Sequence, residues 1–156
     1  MERWEISSED GDYPKELKLL NHPPEVIYGM GDRGVLQAPC MSVIGARRAT
    51  PYGMAIAEMA GRCAADNNIV VVSGGALGCD YTAGTSALSA GGKTVVVAGC
   101  GADVTYPTTS LDLFEAAREG RGAVISLDRW GTPPRRYAFP RRNAVIAALG
   151  KVLLVT

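Results

Sequence analysis

Histidine is almost missing from this chain: His22 is the only one among 156 residues, and it stands beside Pro23-Pro24 in a loop-like setting. Ser-His and Cys-His hydrolases need an imidazole as general base, so the sequence offers no convincing catalytic set. Cysteine is sparse and scattered (Cys40, Cys63, Cys79, Cys100), with no C-x-x-C pair. That excludes a zinc site, and a chain of this length has no need of a disulfide framework. No apolar run approaches about 18 residues, and the opening Met1-Glu2-Arg3-Trp4-Glu5 is charged, so neither a membrane span nor a signal peptide is expected and the expected compartment is the cytoplasm. The central glycine turn, residues 74–80, does not have the spacing G-x-G-x-x-G and no G-x-x-x-x-G-K-[ST] follows it, so neither the dinucleotide fingerprint nor a P-loop stands there. There is also no net charge, with 16 basic and 16 acidic side chains, which argues against bulk binding of a polyanion.

The balance of charge conceals an asymmetry. Residues 1–111 hold 8 Lys/Arg against 12 Asp/Glu, whereas residues 112–156 hold 8 against 4, so a basic face can be built from the C-terminal part. With 47% hydrophobic content the chain suits one substantial core. The central stretch is Val70-Val71-Val72-Ser73-Gly74-Gly75-Ala76-Leu77-Gly78-Cys79-Asp80, a β-branched run entering a glycine turn and leaving as a helix. Such a turn presents backbone N–H groups and a helix N-terminus to an anion; equally, its glycines can serve close packing alone.

Along the chain, residues 1–12 read as a poorly ordered polar lead-in, Tyr13–Leu20 as a short helix stopped by Pro23-Pro24, and Val26–Gly29 as a short strand. Together these make an N-terminal annex, residues 1–40, before a main domain at 41–156. Strands are expected at Met41–Gly45, Ile69–Ser73, Thr94–Ala98, Ala123–Leu127 and Lys151–Thr156. Helices are expected at Tyr52–Asp66 (Thr50 as N-cap, Pro51 opening it), Asp80–Ala90, Ser110–Glu119 (capped by Ser110) and Asn143–Leu149. Strands that are continuous apolar runs alternating with helices predict an α/β fold: a Rossmann-like three-layer sandwich, its mostly parallel sheet covered on both faces. Ligands of such sheets sit beyond the carboxyl ends of the strands, where Gly45, Gly74, Gly99 and the segment before Asn143 would meet.

Candidate site residues gather at that edge. Arg47 and Arg48 follow the first main strand, as surface cations or as a phosphate site. Ser73, Gly74, Gly75 and Gly78 form the central turn, and Asp80 either caps its helix or faces the ligand. Arg135-Arg136-Tyr137-Ala138-Phe139-Pro140-Arg141-Arg142-Asn143 interleaves arginines with aromatic rings, the combination that single strands need: cations for phosphates, π-faces for bases. A solvated basic loop is the alternative.

Taken in order, these pieces resemble the DprA/Smf DNA-processing family. The matching residues are Tyr13-Pro14-x-x-Leu17, Pro23-Pro24 with Tyr28-Gly29, Val43-Ile44-Gly45-Ala46-Arg47 with Tyr52-Gly53, and Ser73-Gly74-x-Ala76-x-Gly78-x-Asp80. Gly91-Gly92-Lys93-Thr94, Gly99-Cys100-Gly101 with Tyr106-Pro107, and Phe139-Pro140-x-Arg142-Asn143 complete the series. The resemblance implies a non-enzymatic protein without cofactor or metal that binds single-stranded DNA, pairs as a homodimer and helps load RecA during natural transformation. It implies a basic pocket including Arg47, Ser73, Gly74, Asp80, Phe139, Arg142 and Asn143, with Arg48, Gly75, Gly78 and Arg141 beside it. The chain departs from the family pattern at Ala46, Gly84, Ser110, Leu127 and Ala144, the last standing where a second arginine is expected. In the family the final strand leads into more sheet, so the Rossmann-like unit is expected to be incomplete at its C-terminal end. A nucleotide or nucleotide-derived small ligand on the Gly74–Asp80 turn is the alternative function, and a scaffold that only self-associates is another. A phosphoribohydrolase-type enzyme lacks its Pro-Gly-Gly-x-Gly-Thr turn here.

Overall fold

The run Val70-Val71-Val72-Ser73 forms the fully buried strand β4 (Val70–Ser73), and the rest of the architecture is laid on either side of it. The computed structural model describes residues 2–156. Seven strands form one sheet: β1 (Arg3–Ser7), β2 (Val26–Gly31), β3 (Cys40–Ile44), β4, β5 (Thr94–Val97), β6 (Gly122–Ser126) and β7 (Val152–Val155), in the order β1-β2-β6-β5-β4-β3-β7. From β3 to β7 the pairing is parallel; β1 and β2 join antiparallel at the β6 edge. Helices α1 (Pro51–Asp66), α2 (Cys79–Ser89) and α3 (Leu111–Ala116) cross between successive parallel strands, and α4 (Ala138–Leu149) carries the chain from β6 across to β7.

Successive β-branched residues along a strand face opposite layers. Val43 and Val71 meet the small residues Ala57, Ala60 and Ala64 of α1 and Ala83 and Ala87 of α2, while Val96 and Val124 meet Leu113 and Phe114 of α3. On the other face Val70, Val72, Val95, Val97 and Ile125 pack on Val145, Ile146 and Leu149 of α4 and on Leu17 and Val35 of the N-terminal segment. The alanines let α1 and α2 lie close: a Cβ at Gly61 would come 2.4 Å from the Ala83 carbonyl oxygen. The result is the three-layer, mostly parallel α/β sandwich with helices on both faces that the apolar strand runs predict.

Four local expectations need correction. Residues 3–7 are a strand, not an unordered lead-in: Arg3-Trp4-Glu5-Ile6 alternates exposed and buried, and the Trp4 indole N–H donates to the Gly31 carbonyl at 3.0 Å. Ser110 does not cap α3; its hydroxyl donates to the Gly75 carbonyl at 2.8 Å, tying that helix to the central turn. α3 ends at Ala116, and a π-turn over Ala117–Arg121 closes on Gly120, whose φ of +104° an L side chain rarely adopts. The arginine–aromatic segment is not all loop, because α4 starts at Ala138, five residues before the expected Asn143. Pro140 lies in its first turn, where a missing N–H breaks no helical bond.

Phe114 is fully buried between α3 and the β5–β6 face. Phe114→Ala is expected to lower unfolding free energy by about 3–5 kcal/mol, read from the urea midpoint at unchanged slope.

Candidate nucleic-acid interface

The carboxyl ends of β3, β4 and β5 and the first turns of α4 converge on one cleft, and Gly74 lies at its centre. The Gly74 N–H donates to Asp80 Oδ2 at 2.9 Å, and its carbonyl accepts from Arg142 Nη1 at 2.9 Å. The same Nη1 donates to the Val97 carbonyl at 2.9 Å, so one guanidinium joins the ends of β4 and β5. Asn143 Oδ1 accepts from Arg142 Nε at 3.0 Å, and the Phe139 ring lies 5.2 Å from the guanidinium carbon, which fixes the plane of the group. Side chains are excluded around this contact. A Cβ on Gly74 would be 2.7 Å from the guanidinium, and one on Gly99 would be 2.6 Å from Phe139.

Asp80, in the first turn of α2, uses its second oxygen to accept from the Gly45 N–H at 3.3 Å. It therefore ties the β3–α1 turn to the β4–α2 turn. Burial raises the pKa of its carboxyl group, against the opposing pull of the Gly74 N–H, the Arg142 charge and the Gly45 N–H. Burial likewise lowers the pKa of Arg142; Asp80 opposes that shift and the nearby Arg47 charge adds to it. Gly78, with φ of +85°, brings the two turns into contact, since a Cβ there would lie 2.2 Å from the Ala46 carbonyl oxygen. The Cys79 N–H donates to that carbonyl at 3.3 Å. Among the described residues the N–H groups of Ala76, Leu77 and Gly78 have no acceptor, and Ala76 and Leu77 line the cleft.

The cleft measures about 100 Å³ and is lined by Arg47, Gly74, Ala76, Leu77, Tyr106, Pro107, Phe139 and Arg142. The sequence-derived residues thus separate into groups. Arg47, Gly74, Phe139 and Arg142 line the cleft; Arg47 is exposed and makes no ion pair among the described residues. Gly78 and Asp80 shape it from behind, as does Gly75, whose own Cβ would meet Phe114 at 2.9 Å, while Asn143 is exposed beside it and holds Arg142 Nε. Ser73 does not line it: the residue is wholly buried, with no hydrogen-bond partner for its hydroxyl. Arg48 is exposed outside it. Arg141 faces the far side of α4, ion-paired with Asp128, its guanidinium 5.8 Å from the Tyr137 ring. Ala144, where the resemblance implies a second arginine, lines the groove on that far side.

Sequence reasoning passed over Tyr106 and Leu77 as site residues. Both are exposed, and the Tyr106 ring lies 5.9 Å from Phe139, which adds a second π-surface. The Tyr106-Pro107 pair after the β5 glycines was the available signal.

The topology defines a Rossmann-like α/β domain with a cationic cleft at the carboxyl edge of its sheet. Residues 4–156 match the family model of DNA recombination-mediator protein A. The chain is 33% identical over 156 residues to Protein Smf of Synechocystis, covering 96% of this chain and 38% of that protein. The X-ray structure of DNA processing protein A from Streptococcus pneumoniae superposes with a TM-score of 0.90 at 32% identity, over 97% of this chain and 53% of that one. The Helicobacter pylori protein, described for its single-stranded DNA binding mode, gives 0.86 at 32% identity, over 97% and 68%. The chain belongs to the DprA/Smf family. It spans 38% and 51% of the curated Synechocystis and Streptococcus pneumoniae relatives.

Asp80→Asn keeps one carbonyl acceptor where two N–H groups need one each, and is expected to cost about 1–3 kcal/mol at acidic pH. Because burial raises the folded-state pKa, Asp80's titration contributes stability below its ordinary value of 3.8, lost as pH rises through the folded value. The urea-midpoint gap between wild type and Asp80→Asn is therefore expected to narrow as pH rises from about 3.5 to 7.

Proposed function

We propose that this domain binds single-stranded DNA at the carboxyl edge of its sheet, as part of a DNA-processing recombination mediator. The observation that carries the reading is the cleft itself: an exposed cation, Arg47, faces a buried, fixed one, Arg142, with the Phe139 and Tyr106 rings beside them. The Nη2 group of Arg142 makes no hydrogen bond among the described residues, which leaves it for a phosphate together with the Ala76 and Leu77 amides. Membership in the family, and the relative described for its single-stranded DNA binding, support the same assignment.

The function proposed is binding without turnover and without a cofactor. A site of about 100 Å³ is below the roughly 300–1,000 Å³ range of pockets that enclose small ligands, so an open strand lying across it fits better than an enclosed nucleotide. Asp80 is already committed to two backbone amides, which leaves no carboxylate for a ribose. The family resemblance extends the reading to a cytoplasmic homodimer that passes single strands to RecA during natural transformation. Among the described residues no helix is long and apolar enough to cross a membrane.

Arg142 is a poor test residue, because its loss strands the Gly74 and Val97 carbonyls. Arg47 is the clean one. In fluorescence anisotropy with a labelled oligothymidylate, Arg47→Ala is expected to weaken binding and to reduce the log–log salt slope by about 0.7, the share of one phosphate. Phe139→Leu is expected to cost about 1–3 kcal/mol of binding with the slope unchanged. Wild-type binding that prefers duplex, or is insensitive to salt, would overturn the reading.

A further inference from the structure

Arg141 and Arg142 are consecutive on α4, and the helical period of 3.6 turns their side chains to different sides. Arg142 enters the cleft, whereas Arg141 lines a separate groove of about 770 Å³ between α4 and the β2–β6 end of the sheet. Val26, Tyr28, Leu127 and Val145 give this groove an apolar floor, and Arg129 stands on its wall. Arg129 is exposed and its guanidinium has no ion pair or hydrogen bond among the described residues. Tyr28 is held by an edge contact with Trp130, ring centroids 5.6 Å apart at 79°. Arg135 and Arg136 are exposed just before α4, between the two concavities in sequence. The opposing charges are Glu25, on the groove wall, Asp128, which is occupied by Arg141, and Glu5, which stands across from Tyr28 and accepts from the Trp130 indole N–H at 3.3 Å.

We propose that the groove is a second subsite for single-stranded DNA, reached by a strand that leaves the cleft over the first turn of α4. Arg129 takes a backbone phosphate, and the floor of Tyr28 and Leu127 takes a base. The inference rests on the DNA reading of the cleft and adds a direction to it. Three observations carry it: continuity through adjacent arginines, an unpartnered cation beside an aromatic and apolar floor, and a volume within the roughly 300–1,000 Å³ range that admits a base with its sugar.

The test titrates the intact chain with a short oligothymidylate that fills the cleft alone and with one several times longer. The longer strand is expected to bind the wild type with the steeper salt slope and to change Trp130 fluorescence, which the short one leaves unchanged. Arg129→Ala is expected to bind the short strand like the wild type and to lose about 0.7 of the salt slope for the long one. An unchanged urea midpoint in that variant would exclude a folding effect. If Arg129→Ala matches the wild type at both lengths while Arg47→Ala weakens both, the groove is not a subsite. If Arg47→Ala leaves short-strand binding intact, the cleft reading fails first and the extension falls with it.

Discussion

Gly74 is gripped from both sides, its N–H by the Asp80 carboxylate and its carbonyl by the Arg142 guanidinium. Each charge is buried, and each would be costly alone. Their hydrogen bonds to backbone groups, and their mutual attraction across one glycine, make the burial tolerable. The consequences spread outward from that residue. Asp80 brings in the β3–α1 turn through Gly45, Arg142 brings in the end of β5 through Val97, and α4 is thereby docked with its first turns at the carboxyl edge. Most of the geometry of the cleft follows from these four hydrogen bonds.

The arrangement also sorts the arginines by role. Arg142 is part of the scaffold and of the cleft lining together: one nitrogen closes two strand ends while another makes no hydrogen bond among the described residues. Arg47 has no such internal obligation, so the contribution proposed for it is electrostatic and salt-sensitive. One fixed cation beside an exposed one suits the proposed polymer, whose phosphates recur while its sequence varies. The rings of Phe139 and Tyr106 fit the same requirement, since every base offers a π-face.

α4 separates two surfaces with different character. On one side is a small cleft where backbone turns and two arginines meet aromatic and aliphatic side chains; on the other is a wider groove with an apolar floor and arginines on its wall. Of the basic residues in 112–156, Arg142 lines the cleft and Arg129 and Arg141 line the groove.

The sequence by itself determined the layers, the parallel core and the place of the site. Runs such as Val70–Val72 and Thr94–Val97 can be buried only within a sheet covered on both faces, and glycines at their ends mark the ligand edge. It also carried the family, through short motifs kept in order. Arg47, Gly74, Phe139 and Arg142 were legible as residues of one edge cleft because cations, a permissive turn and an aromatic ring fell at those ends. Other assignments depended on tertiary partners. Ser73 and Asp80 looked alike as turn residues, yet one hydroxyl is buried without a partner while the other side chain joins two loops. Arg141 and Arg142 are the same residue type one position apart, and only the docking angle of α4 decides which enters the cleft. Local sequence sets strand, turn and helix; which way a side chain faces depends on contacts such as that of Arg142 with Gly74, 68 residues away.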